Sequence, residues 1–377
     1  MNNKIKKLEI EDFGYNDFFE SNREKLGLDN FSIARVVAEH RGAYRVVNQN
    51  GEFLAKITGK QMFIASSRED YPAVGDWVAI TELDVERAVI HGILPRKTII
   101  KRKYGDKNKI GEKTGTQVIG ANIDVAFMVE SIDRDYNLNR FERYFAIAKD
   151  GGVDSAIILN KIDLISKEEL DAKLIEIKNR FKDVDIISTS TINDKGLAEL
   201  KACILRGKTY CFLGSSGVGK SSLINKLLEE NAIKVGDISD YSNRGKHITT
   251  SREMYFLKSG GIVIDNPGMR EVGMTDASAG IDSLFDEITE LGRKCKYADC
   301  THVHEPNCEV LIALKSGKID EAKYRNYVSL KKEAEFKEMS DFEKKEKDRN
   351  FGKFLKTAKK TMKKEPRGSH LERLKMF

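Results

Sequence analysis

At 377 residues, with 40% apolar and 33% charged side chains, the chain can bury about two or three separate cores. No apolar run approaches the ~18 residues of a membrane span, and MNNKIKKLEI lacks a signal peptide's apolar core, so a cytoplasmic protein with no membrane partner is expected. The net charge of +6 is unevenly placed: residues 349–377 hold ten basic and two acidic side chains, net +8, leaving −2 for the other 348, which marks either a polyanion partner or a solubilising tail.

Residues 1–31 read as a polar extension with four aromatics, Phe13, Tyr15, Phe18 and Phe19, forming a short helix packed on the next segment of the chain. Over 32–110 come short alternating runs, IARVVAE, AYRVVNQNGEFLAKI, DWVAI, AVIHGILP and TIIKRK, with hairpin-type turns at Arg41-Gly42 and Asn50-Gly51. Such runs suit a small five-stranded barrel, best an oligonucleotide-binding (OB)-like one. Lys97, Lys101, Arg102, Lys103, Lys107 and Lys109 cluster at its end and would suit an RNA backbone; a barrel that binds protein or only docks on its neighbour fits as well. Residues 105–120, rich in glycine and lysine, read as a mobile link.

Strands and helices then alternate through 111–280, which predicts a mostly parallel, doubly wound sheet of α/β class. Cys203 and Cys211 fall on its apolar stretches and read as core thiols. Residues 281–340 read as a helical module around a cysteine cluster, and 341–377 as a basic tail, disordered until bound.

The chemistry centres on TYCFLGSSGVGKSSL, Thr209–Leu223. A strand runs into Gly214-Ser215-Ser216-Gly217-Val218-Gly219-Lys220-Ser221-Ser222 and then a helix. Glycines let successive N–H groups turn inward on a polyphosphate; Lys220 reaches the β and γ phosphates, and the Ser221 hydroxyl ligates Mg²⁺. The helix adds its positive end. Asn160-Lys161-Ile162-Asp163 follows another strand, where a carboxylate can accept from guanine's N1–H and 2-amino groups. Ser188, with Thr189 and Ser190, ends the next strand and can line the other side of the base. Asp265 can hold Mg²⁺ through water and the Gly268 N–H can meet a γ-phosphate. Together these favour GTP over ATP.

The base-reading loops precede the phosphate loop, the reverse of ordinary small GTPases. With GSSGVGKSSL (214–223), NKID (160–163), IDNPGMRE (264–271), GKHITT (245–250) and VGDWVAI (74–80), this order resembles the ribosome small-subunit-dependent GTPase A family over nearly the whole chain. The resemblance implies a circularly permuted P-loop GTPase domain flanked by an OB-like barrel and a zinc-binding module. It implies GTP hydrolysis to GDP and phosphate in late small-subunit maturation, stimulated by the small ribosomal subunit and its rRNA. His247 would orient the attacking water. Thr249, with Thr250 second, would be the switch threonine on Mg²⁺, since Ile248 stands where the family usually has threonine. Met269 cannot polarise water, so a partner must complete the site. A monomer is expected. A stand-alone regulatory GTPase with a protein partner, and a structural rRNA-binding protein with little turnover, are the alternative readings.

In LGRKCKYADCTHVHEPNCEV, Cys295, Cys300, His302 and Cys308 form C-x₄-C-x-H-x₅-C, a closed tetrahedral set for one structural zinc. His304 competes as a ligand by spacing, and the resemblance favours His302. Tyr324, Tyr327 and Leu330 are spaced to pack on this module.

Overall fold

The computed structural model describes residues 8–40, 42–104, 115–133, 136–230, 232–233, 252–265 and 278–339, with single positions at 343, 346, 349 and 353. A 3-10 turn (Ile10–Phe13) and helix α1 (Asp17–Lys25), capped by Asn16 on the Phe18 N–H, lead in. Phe13, Tyr15 and Phe19 turn inward, with the Tyr15 ring 4.8 Å from Trp77 edge-on, while Phe18 stays exposed. The extension is therefore one wall of the barrel's outer core.

Five strands close that barrel: β1 (Ser32–His40), β2 (Ala43–Asn48), β3 (Gly51–Ile57), β4 (Trp77–Glu82) and β5 (Arg87–Ile93), in the order β1-β2-β3-β5-β4 and back to β1. Alternate residues, among them Val36, Val46, Phe53, Ile80 and Ile90, fill the interior. A short helix, α2 (Gly59–Ile64), sits between β3 and β4. AYRVVNQNGEFLAKI is two of the strands, turning at Gln49-Asn50, where Asn48 Oδ1 accepts the Asn50 N–H at 2.8 Å.

TIIKRK lies outside the barrel. It is β6 (Ile99–Tyr104), paired antiparallel with β7 (Gly115–Ala121), whose sequence reads as part of a mobile link. The expectation failed because composition outvoted pattern: Val118, Ile119 and Ala121 are buried and hold the strand down. Lys101 pairs with Glu69 at 2.6 Å and Arg102 donates to Gln117, so both basic groups are already engaged; Lys107 and Lys109 lie outside the described residues.

The second sheet uses β8 (Val125–Ser131), α3 (Leu138–Asp150), β9 (Asp154–Asn160), α4 (Lys167–Arg180), β10 (Ile186–Thr189), α5 (Leu197–Cys203), β11 (Thr209–Leu213), α6 (Lys220–Leu228), β12 (Glu253–Phe256) and β13 (Ile262–Asp265). The order is β10-β9-β8-β11-β13-β12; β12 alone is antiparallel to its neighbour. One face packs on α3 and α4, the other on α5 and α6. Cys211 is buried in this sheet as expected of a core thiol, but Cys203, at the end of α5, is exposed. β12 also meets β1 at Glu253–Ala38, so barrel and sheet run on as eleven strands. Arg35 locks the junction: fully buried, it donates to the Phe13 and Asn122 carbonyls and to Thr209 Oγ1 at 2.8 Å.

Helices α7 (Ser278–Leu284), α8 (Asp286–Gly292), α9 (Glu309–Lys315) and α10 (Glu321–Glu338) follow; α7 and α10 pack on α3, and α8 packs on α7 and α9. Glu142 of α3, almost wholly buried, pairs with Arg180 of α4 at 2.7 Å and accepts from Asn326 of α10. Tyr327 and Leu330 are buried, as their spacing predicts.

Candidate nucleotide and metal sites

β11 delivers the chain to a loop whose three glycines, Gly214, Gly217 and Gly219, take φ of 159°, 85° and 99°. Two are fixed by contact as well as by torsion. A Cβ at Gly214 would lie 2.2 Å from the Val129 carbonyl oxygen, and one at Gly219 would lie 2.2 Å from Asn160 Nδ2. Ser216 and Gly217 are exposed at the tip, Val218 is buried beneath, and Ser215, Ser221 and Ser222 are half-buried. Lys220 opens α6 and folds back, its Nζ donating to the Gly214 and Ser215 carbonyls at 2.8 and 2.7 Å. Burial pushes its ammonium down to about 8, with Asp265 and Glu130 opposing. Such a group gains charge and stability from a polyanion.

The NKID segment lies beside this loop, at the carboxyl end of β9, which β8 separates from β11. Asn160, fully buried, donates from Nδ2 to the Val218 carbonyl at 2.8 Å and accepts from Thr189 Oγ1 at 3.0 Å. Lys161 takes the left-handed φ of 63°, and its Nζ pairs with Asp133 at 2.9 Å. Ile162 is buried, and the Asp163 carboxylate accepts from Ser190 Oγ. Among the three hydroxyls of the Ser188–Ser190 stretch, Thr189 and Ser190 therefore reach the site residues, and Ser188 lies on the strand behind. Asp265 ends β13 and is buried. His247, Thr249, Thr250, Gly268 and Met269 lie outside the described residues.

Sequence reasoning missed Arg140, Tyr144, Glu130 and Asp133. Arg140, in the first turn of α3, donates from Nη1 to Ser215 Oγ at 2.8 Å and faces Glu130 at 3.2 Å; Tyr144, one turn on, is buried on the same side of the helix. No local motif marks them, because tertiary packing alone brings α3 under the loop.

The second site is the cysteine cluster. The ligand atoms of Cys295, Cys300, His302 and Cys308 all lie within 4.8 Å of one another. Cys295 and Cys308 sulfurs are 3.7 Å apart, and His302 Nδ1 is 3.6 and 3.4 Å from them. Tetrahedral bonds of ordinary Zn–S and Zn–N length place two sulfurs about 3.8 Å apart and a sulfur and nitrogen about 3.6 Å apart. The donor set thus fits a tetrahedral cation of zinc's size. His302 is turned inward by a left-handed φ of 61°, and Tyr324 Oη donates to its carbonyl at 2.7 Å; His304 is exposed.

Known proteins share this arrangement. The family model described as RsgA GTPase matches residues 93–275, and that of the 50S ribosome-binding GTPases matches 209–342. A protein of Opitutus terrae named small ribosomal subunit biogenesis GTPase RsgA is 35% identical, the match covering 86% of this chain and 89% of that protein. One of the same name from Syntrophotalea carbinolica is 37% identical, over 87% and 90%. Among solved structures, YjeQ from Thermotoga maritima is 26% identical with a TM-score of 0.59, covering 79% of this chain and 96% of its own. YloQ, described as a circularly permuted GTPase, shares the fold at 20% identity and a TM-score of 0.56, over 83% and 98%. With the NKID segment ahead of the phosphate loop, an OB-like barrel before it and a Cys₃His cluster after, the chain belongs to the RsgA GTPase family.

Proposed function

We propose that this chain is a cytoplasmic, monomeric GTP hydrolase acting in late maturation of the small ribosomal subunit, binding the subunit and its rRNA in the GTP state and leaving after hydrolysis. The observation that carries it is the hydrogen bond from Asn160 to Val218, which joins a guanine-reading segment to a phosphate loop in a family whose members are named for this process. Asp163 reads the base. Loop N–H groups from Gly214 to Ser222, with Lys220, hold the phosphates. Mg²⁺, held by Ser221, Asp265 and Thr249, would screen the phosphate charge. Gly268 would meet the γ-phosphate and His247 would orient water. Met269 stands where a glutamine would help, so turnover is slow until the subunit completes the site. One structural zinc on Cys295, Cys300, His302 and Cys308 would fix the C-terminal module without entering the reaction.

The test is GTP hydrolysis with and without purified small subunits. Stimulation by small subunits, and none by large subunits, is expected. Hydrolysis that no subunit alters but a protein fraction stimulates would replace this reading with a regulatory GTPase; subunit binding without turnover would leave a structural rRNA-binding protein.

A further inference from the structure

A carboxylate lies behind the phosphate loop, where a polyanion is to bind. Glu130, near the end of β8, is wholly buried and close enough to Lys220 to act on its charge. Asp265, the other acid acting on Lys220, has a use as a Mg²⁺ holder; Glu130 has no such use. An ionised carboxylate at such depth needs a counter-charge. Arg140 supplies one: Nη1 lies 3.2 Å from Glu130 Oε1 and 2.8 Å from Ser215 Oγ, on a side chain 28% exposed. The same guanidinium therefore neutralises the acid and grips the second residue of the loop, whose carbonyl in turn holds Lys220.

We propose that Arg140 is a positioning residue of the GTP site, cancelling the charge of Glu130 and fixing the loop through Ser215 so that the β and γ phosphates meet net positive charge. This deepens the guanine-nucleotide reading and rests on it. Without Arg140, Glu130 loses that counter-charge and adds repulsion to whatever polyphosphate the loop holds. The repulsion grows with the number of phosphate charges, so GTP suffers more than GDP. Without Glu130, Arg140 becomes an extra cation beside the phosphates. A residue that merely props up the fold has no such charge-dependent sign.

The experiment is titration of fluorescent GTP and GDP analogues into the full chain, with the melting midpoint of each variant. Arg140→Gln is expected to weaken GTP binding by about tenfold or more, and GDP binding less. Glu130→Gln is expected to tighten GTP binding. The double variant Glu130→Gln/Arg140→Gln should return to within about threefold of wild type, because both charges have gone together. Should Arg140→Gln fail to fold, the tightening in Glu130→Gln and near-normal binding in Arg140→Lys carry the test. The inference is overturned if the double variant binds no better than Arg140→Gln, if Glu130→Gln weakens binding, or if GTP and GDP are affected alike. Wild type that binds neither nucleotide overturns the nucleotide reading itself, and this inference with it.

Discussion

Asn160 Nδ2 donates to the Val218 carbonyl at 2.8 Å, and this bond ties the Asn160–Asp163 segment to the phosphate loop across 58 residues of chain. It is how a permuted order still makes one site. β9 and β11 flank β8, so their carboxyl ends open on the same side of the sheet whichever comes first in sequence. Asn160→Ala would strand two buried groups, the Val218 carbonyl and the Thr189 hydroxyl. Each costs about 1–3 kcal/mol. GTP affinity should fall at least about tenfold, with Asp163 itself intact. A nucleotide titration giving wild-type affinity would show that the brace does not hold the loop.

Lys220 gives a pH dependence with a definite sign. Burial holds its folded value at about 8, below lysine's usual 10.5. Between these values the unfolded chain binds the extra proton, so this group's contribution to stability rises with pH across that window and is least favourable below about 8. A bound polyphosphate restores the charge. Nucleotide binding near pH 8.5 should then take up part of a proton, and affinity should weaken as pH rises further. Calorimetry in two buffers of different ionisation enthalpy measures the uptake. Equal heats in both would mean that Lys220 is already charged.

How much of this site is legible in the sequence depends on where the chemistry lies along the chain. The phosphate loop, NKID and the cysteine cluster are contiguous, with their function written into local spacing. Ser190 could be placed only with its neighbours, since which hydroxyl of Ser188–Ser190 faces Asp163 depends on where β10 ends. Arg140 and Glu130 are invisible, being 75 and 85 residues before Ser215 and joined to it only by packing. The barrel shows a related limit. Alternation identifies TIIKRK as a strand but cannot name its partner, and its partner is a segment whose glycines and lysines resemble a loop. Cys203 shares an amphipathic helix with buried Leu197 and Leu200, and sits on its wet side.

The cysteine cluster predicts one zinc per chain in freshly purified protein. Three sulfurs and one imidazole nitrogen within 4.8 Å of one another offer a closed tetrahedral donor set, and such a set ties together the chain on either side of it. Cys300→Ser should lower the melting midpoint by roughly 5–10 °C and leave GTP affinity within about threefold of wild type. Elemental analysis settles the metal. Protein prepared without chelator and carrying none would end the assignment.

The last prediction concerns how the phosphate loop and the C-terminal module communicate. Helix α3 touches both. Its first turn holds Ser215 through Arg140, and its length carries Arg143 against Glu333 at 2.7 Å and Lys149 against the Ser283 carbonyl at 2.9 Å. The closest approach is at Gly280 of α7, where a Cβ would lie 2.0 Å from the Ala146 carbonyl oxygen and 3.0 Å from Asp150 Cβ. Backbone sits against side-chain-free backbone, so Gly280→Ala must push α7 off α3 at a cost of about 1–3 kcal/mol. A shift in a rigid helix under the loop is a physical route from one site to the other. The variant should therefore melt earlier, keep GTP affinity within about threefold, and lose severalfold in stimulation by small subunits. Its intrinsic hydrolysis should be unchanged. If stimulation matches wild type while limited proteolysis shows α7 loosened, α3 is not the relay, and the junction that Arg35 makes between barrel and sheet becomes the next one to cut.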